Sequence, residues 1–203
     1  AAHEMQTPLA VVQSKLELLL QDNNLTDDQV QSILQATTAL TRLRNLNQNL
    51  LLLAKIENNQ YETNLEISLG DVTKKYLRLF DEFVRDKQLI IETDFEKDFK
   101  IILHPLLADS LLSNLLGNAI KYNYKGGMVN IKTDRDSYRI TNTSLNGPIP
   151  REKLFMRFNT SKEPGYSTNG LGLAIVKKIV DTNNLVITYA PETGKTAFLL
   201  RRI

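Results

Sequence analysis

The stretch Asn114-Leu115-Leu116-Gly117-Asn118-Ala119-Ile120-Lys121-Tyr122 puts two patterns on one helix. Leu111, Leu112, Leu115 and Leu116 recur at helical spacing and mark a buried side. Asn114 and Asn118 stand four apart, with Lys121 three further on, so the polar face gathers two amides and one cation. Two neutral oxygens beside a cation suit Mg²⁺ with phosphates, because Mg²⁺ keeps its waters and uses few protein ligands. Solvated amides would give the same pattern, so the surrounding chain has to decide.

Outward from this helix, which Pro105 opens, the chain alternates. Residues 89 to 93 and 99 to 103 precede it as strands. Residues 129 to 133 and 138 to 142 follow as two more, separated by Asp134-Arg135-Asp136. Residues 70 to 87 read as one helix with Val72, Tyr76, Leu79, Phe80 and Phe83 on a face, and residues 170 to 182 as another. A final hairpin pairs residues 185 to 189 with 196 to 201. Strands and helices mixed without strict βαβ order predict an α/β sandwich with one sheet face covered by helices.

The first 60 residues differ: residues 3 to 58 hold no Gly and one Pro, Pro8. Met5, Leu9, Val12, Leu16 and Leu19 form a bundle seam that stops at Gln21-Asp22-Asn23-Asn24. Thr26-Asp27-Asp28-Gln29 has the form of a capping box. A second helix follows to about Asn58 with Val30, Ile33, Leu40, Leu43, Leu50 and Ala54 near one stripe. Two helices joined so tightly make an antiparallel hairpin. The hairpin alone cannot cover its apolar faces, least of all around Leu46, Leu51, Leu52 and Leu53. A second copy would, giving a homodimeric four-helix bundle; packing against the rest of the same chain is the alternative. The predicted domains are residues 1–60 and 61–203.

Composition narrows the function classes. The 203 residues carry 25 Lys+Arg against 23 Asp+Glu, a net charge of +2, which argues against a nucleic-acid surface. With no Cys, a disulfide scaffold, thiolate metal site and Cys nucleophile are excluded, and two His make a multi-histidine metal site a poor reading. No apolar run approaches the ~20 residues that span a bilayer. The chain has no initiator Met and reaches a candidate site at once, which reads as a piece of a longer protein.

That site is His3-Glu4-Met5-Gln6-Thr7-Pro8-Leu9. In a helix His3 and Thr7 share a face while Met5 points to the seam, and Glu4 is placed to take an Nδ1 proton and leave Nε2 a neutral nucleophile. Pro8 should bend the helix one turn on. An exposed His beside an acid is also ordinary surface. Further along, Arg157 lies between Phe155 and Phe158, residues 159 to 169 are polar enough for a lid, and Gly170-Leu171-Gly172-Leu173 opens a helix whose N–H groups suit phosphate.

In this order the segments resemble the boxes of sensor histidine kinases of bacterial two-component systems. His3, Glu4, Thr7, Pro8 and Leu9 are similar to the phosphoacceptor box, residues 114–122 to the N box, Phe155 to Phe158 to the F box and residues 170–176 to the G2 box. Gln6 departs mildly, standing where a basic residue is common. The resemblance implies an α plus α/β chain, a dimerising phosphoacceptor hairpin followed by an α/β sandwich of the histidine kinase ATPase type. It implies His3 as phosphoacceptor, Glu4 as base or proton-orienting partner and Thr7 as a positioner of water in a phosphatase reaction. It implies Asn118 as Mg²⁺ ligand with Asn114 helping, Lys121 and Arg157 on phosphates, Tyr122 along the base, and Gly170, Leu171, Gly172 and Leu173 around the phosphates of ATP. The adenine box departs: Asn142 takes the Asp position, Ser144 the first Gly position, and Gly147 is displaced by one. An amide oxygen still accepts from the adenine amino group, without charge assistance.

The implied partners are a second copy and a response-regulator receiver domain, with no nucleic acid. The implied location is the cytoplasmic part of an inner-membrane-anchored bacterial sensor, touching membrane only through segments upstream. A nucleotide-holding interaction module, or a core acting mainly as response-regulator phosphatase, are the alternatives.

Overall fold

The structure is a computed structural model that describes residues 2–62, 65–145, 149–159 and 169–203, with the side chains of residues 2–6 and 151 outside that description. Helices α1 (Ala2–Leu19) and α2 (Asp27–Glu57) form the predicted hairpin. The capping box is made in full: Gln29 N–H donates to Thr26 Oγ1 at 3.3 Å, and Thr26 N–H to Gln29 Oε1 at 2.9 Å. Asp27 and Asp28 add negative charge at the N-terminal turn, where the helix dipole favours it. Arg44 Nη1 donates to Gln13 Oε1 at 3.0 Å across the pair, which sets the antiparallel register.

The rest of the chain runs β1 (Leu65–Ser68), α3 (Leu69–Leu79), α4 (Asp81–Asp86), β2 (Ile90–Asp94), β3 (Lys100–Leu103), α5 (Pro105–Lys121), β4 (Met128–Thr133), β5 (Ser137–Thr143), α6 (Arg151–Leu154), α7 (Gly172–Thr182), β6 (Leu185–Glu192) and β7 (Lys195–Arg202). Five strands form one mixed sheet in the order β2-β4-β5-β7-β6, with β2 and β4 parallel and the other pairs antiparallel. β1 and β3 pair separately. Alternation decides the faces. Val129 and Ile131 on β4, with Tyr138 and Ile140 on β5, turn inward and meet Leu111, Leu112, Leu115 and Leu116 of α5 and Ile175, Val176 and Ile179 of α7. Asn142 continues that inward stripe, so a polar side chain ends the buried row near the end of the central strand β5.

Two expectations need correction, and two short elements are added. The helix expected over residues 70 to 87 is two helices, broken at Phe80; Phe80 packs on the core, and Asp81 and Glu82 supply the acidic first turn of the next helix. The helix expected from residue 170 starts at Gly172, because Gly170 has φ +61° and a Cβ there would lie 2.6 Å from Asn159 N. β1 and α6 are too short to show a period and were not expected.

Tyr138 joins α3 to the sheet. Its hydroxyl lies 3.2 Å from Thr73 Oγ1, which donates to the Leu69 carbonyl at 2.7 Å, and both side chains are buried. Burial pushes the Tyr138 phenol well above its ordinary value, so the native state resists ionisation while the unfolded chain titrates near pH 10. Its contribution is therefore complete below about pH 10 and declines as pH rises above it. Denaturant melts across pH 8 to 11 are expected to show a shallower alkaline decline for Tyr138→Phe than for the parent.

Candidate functional site

The polar face of α5 and the start of α7 meet. Asn114 Nδ2 donates to the Ser110 carbonyl at 2.8 Å, which commits the nitrogen and leaves Oδ1 outward. That oxygen lies 2.6 Å from where a Gly172 Cβ would stand, so glycine is what lets the helix start approach it. Among the described residues no side chain caps α7 at Leu171, so its first N–H groups are suited to a ligand or water. Leu171 itself is 1 % exposed and Leu173 packs against the core, so only their backbones can serve a ligand.

One turn along α5 from Asn114, Asn118 is half-buried, and no described residue holds its side-chain amide by a hydrogen bond. Lys121 Nζ lies 4.9 Å from the Tyr122 ring centroid, a cation–π contact at the helix end. Asn142, 5 % exposed, spends its Nδ2 on the Thr143 carbonyl at 2.9 Å and keeps Oδ1 as an acceptor. Ser144 N–H donates to the Gly194 carbonyl at 2.9 Å, tying the strand's exit to the last hairpin. Gly147 lies outside the described residues, as do residues 160 to 168 of the expected lid.

Arg157 is paired with α2. Its Nη2 donates to Glu57 Oε1 at 2.6 Å, and Lys178 Nζ stands 4.0 Å from the same oxygen, so the last acid of α2 gathers two cations of the sandwich. Asn169 Nδ2 reaches the Arg42 carbonyl at 3.3 Å. Beneath these polar contacts Leu53 (2 % exposed) and Ile56 (3 %) are buried in the sandwich core, and α2 packs on α7. The apolar end of the hairpin is thus covered within the chain, while Val12, Leu19, Leu34, Leu43 and Leu50 stay exposed. Sequence reading missed Glu57, because an acid at a helix end is ordinary until the fold brings Arg157 to it.

His3 and Glu4 are on α1, but their side chains lie outside the described residues. Thr7 is exposed one turn on. His104 serves at the start of α5: its Nδ1 accepts from Leu106 N–H at 3.2 Å, and its ring meets Tyr61 edge-on at 4.9 Å. Burial raises the Tyr61 phenol above its usual range. Among the described residues no group of three or more His, Cys, Asp or Glu is placed to hold a metal ion. No helix is long and apolar enough to cross a membrane, again among those residues.

Two family models cover most of the chain. Residues 1–59 match the His Kinase A (phospho-acceptor) domain, and residues 104–201 match the histidine kinase-, DNA gyrase B- and HSP90-like ATPase. The heme sensor protein HssS of Staphylococcus saprophyticus is 32% identical over 199 residues; the alignment takes in 94% of this chain but 42% of that protein. Among solved structures, the Acinetobacter baumannii histidine kinase AdeS shares the fold, with TM-score 0.67 and 22% identity over 98% of this chain and 96% of that one. The catalytic domain of histidine kinase ThkA matches 70% of this chain and 95% of its own at 26% identity, TM-score 0.57. With the phosphoacceptor hairpin at one end, the ATPase sandwich at the other and the phosphate-suited faces of α5 and α7 in contact, the chain belongs to the sensor histidine kinases and carries their catalytic core.

Proposed function

We propose that this chain binds ATP with Mg²⁺ on the α5–α7 face, transfers the γ-phosphoryl group to His3, and passes it to an aspartate of a response-regulator receiver domain. One observation carries the reading. Asn114 Oδ1 is aimed at the uncapped start of α7, so an amide oxygen and free helix N–H groups converge on one place, with Asn118 and Lys121 further along the same helix.

The donor set fits the ion. Without a carboxylate or imidazole cluster among the described residues, a cation there would rest on amide oxygens, waters and the ligand's own phosphates, an all-oxygen set that suits an ion which keeps several waters. Asn118 would hold it, with Asn114 assisting. When bound, Mg²⁺ neutralises charge on the phosphate oxygens. The chain's own groups do the rest. Asn142 Oδ1 accepts from the base, Tyr122 lies along it, and the α7 N–H groups and Lys121 hold the phosphates.

In the transfer, Nε2 of neutral His3 forms a bond to the γ-phosphorus as the bond to the β–γ bridging oxygen breaks, and ADP leaves with that electron pair. Glu4 takes or orients the Nδ1 proton. Thr7 positions water for the reverse duty of dephosphorylating the receiver. Arg157 would join the γ-phosphate in competition with Glu57, an exposed pair worth about 0.2–1 kcal/mol and so easily exchanged for a phosphate.

The domains are residues 1–60, the phosphoacceptor and dimerisation unit, and 61–203, the ATP-binding unit. The hairpin's exposed Val12, Leu19 and Leu43 are covered in a homodimer by a second hairpin. Because the chain spans 42% of the length of its curated relative, the whole protein, a membrane-anchored sensor with this core on the cytoplasmic side, is part of the proposal. Incubation with γ-labelled ATP and Mg²⁺ is expected to give a protein-bound label that is lost in acid and kept in base, and that moves to a receiver domain. Label stable to acid, or no label on protein shown to bind nucleotide, would count against it.

A further inference from the structure

The two residues proposed to meet the base, Tyr122 and Asn142, come from different elements, and the residue after each one joins them. Asn123 follows Tyr122 at the exit of α5 and is 6 % exposed; Thr143 follows Asn142 at the end of β5. Thr143 Oγ1 donates to Asn123 Oδ1 at 2.6 Å and accepts from Met128 N–H at 2.9 Å. Asn123 Nδ2 donates to the Met128 carbonyl at 2.9 Å, and its Oδ1 accepts a second bond from Tyr124 N–H at 3.0 Å. Gly127 closes over the pair: a Cβ there would overlap both Asn123 Oδ1 and Thr143 Oγ1, so any other residue would force them apart.

Lys87 braces the same corner from outside. Its ammonium donates to the carbonyls of Ile120, Lys121 and Asn123 at 3.1, 2.6 and 2.9 Å. A cation at the end of α5 is also where the helix dipole favours positive charge. The chain therefore leaves α5 on a fixed path, pinned by an ammonium on one side and by β5 on the other.

We propose that Asn123 and Thr143, braced by Lys87, are positioning residues for the nucleotide base: they set the gap between Tyr122 and Asn142 so that one base meets both. The inference rests on the nucleotide-site reading above. In this clamp Asn123 and Thr143 turn their polar side-chain atoms on each other and on the backbone, so they act through their neighbours. Of the groups proposed for the phosphates only Lys121 adjoins the clamp; Asn114, Asn118 and the start of α7 lie further back, so most phosphate recognition is separable from it. Removing the Thr143 hydroxyl leaves the Met128 N–H without its acceptor and Asn123 Oδ1 without one donor, a mismatch that is costly where water is excluded. Relief by movement of the α5 exit would carry Tyr122 away from Asn142.

The test is a titration of ATP and of GTP into the full chain and its variants, read as displacement of a fluorescent trinitrophenyl-ATP. Thr143→Val is expected to weaken ATP about tenfold while GTP changes less than about twofold, so selectivity for adenine falls about tenfold. Thr143→Ser, which keeps the hydroxyl, is expected to recover most of the loss. An equal loss for both nucleotides, or ATP affinity unchanged in folded Thr143→Val, overturns the proposal. Tyr122→Ala and Asn142→Ala, run alongside, keep the two readings apart. If neither weakens ATP, the nucleotide-site reading fails; if both do and Thr143→Val does not, only the clamp fails. Should Thr143→Val not fold, Lys87→Met is judged by the same adenine-to-guanine comparison and the same outcomes.

Discussion

His3→Gln is expected to abolish phosphoryl incorporation while leaving ATP affinity within about twofold of the parent. Glutamine keeps a polar side chain on α1 but offers no ring nitrogen lone pair, so the step is lost and not slowed. Nucleotide binding should survive because its proposed residues lie beyond residue 113. The register of the hairpin gives the result a geometric setting. Gln13 faces Arg44, and ten residues outward on each helix place the His3 backbone across from Ala54, one turn before Glu57. Glu57 is the residue that holds Arg157, so the level of His3, the proposed phosphoacceptor, on the hairpin is also the level at which the sandwich is tied to it. Mixing His3→Gln with a nucleotide-site variant such as Asn118→Ala then asks whether transfer occurs within a chain or between chains: label recovered in the mixed dimer means transfer between chains. Substantial acid-labile label on His3→Gln alone would remove His3 from the mechanism.

The second large effect is expected at Asn118. Asn118→Ala should lower the rate of autophosphorylation at least about a hundredfold and shift its Mg²⁺ dependence to higher concentration. Its melting temperature should stay within a few degrees of the parent, because no described residue depends on the Asn118 side chain for a hydrogen bond. Asn114→Ala makes an instructive contrast. There the amide is also bonded to Ser110 within α5, so its replacement should cost activity and some helix stability together. The pair of measurements, label rate against Mg²⁺ and a thermal melt, separates the roles. A folded Asn118→Ala with a rate within about fivefold of the parent would mean that the metal is held elsewhere.

Much of this molecule can be read from short stretches. The seam of α1, the Thr26–Gln29 capping box, Pro105 opening α5 and the inward alternation of β4 and β5 are all decided within about ten residues, where periodicity and capping chemistry act. The site is legible for the same reason: Asn114, Asn118 and Lys121 share a helix face, and Gly172 opens the next helix. Reading fails where a local choice depends on a distant partner. Residues 70 to 87 have helical periodicity throughout, yet Phe80 breaks the run to reach the core, and no spacing announces that. The long apolar end of α2 is expected from the sequence to be covered by a second copy, with the same chain as the alternative. The fold buries Leu53 and Ile56 within the chain and leaves Val12 and Leu43 exposed.

What the sequence by itself determined, then, is the kind of element at each position and the chemical types gathered on its polar face, because hydrophobic period, caps and glycine placement are short-range effects. Only the tertiary structure decided which of those faces meet. Asn114 reaches the start of α7, Arg157 is held by Glu57 a hundred residues away, and Asn123 locks to Thr143 across the end of the sheet. Such contacts join residues whose spacing along the chain carries no period, and they exist only because burying the apolar sides of α5, α7 and the sheet in one core leaves their polar ends side by side.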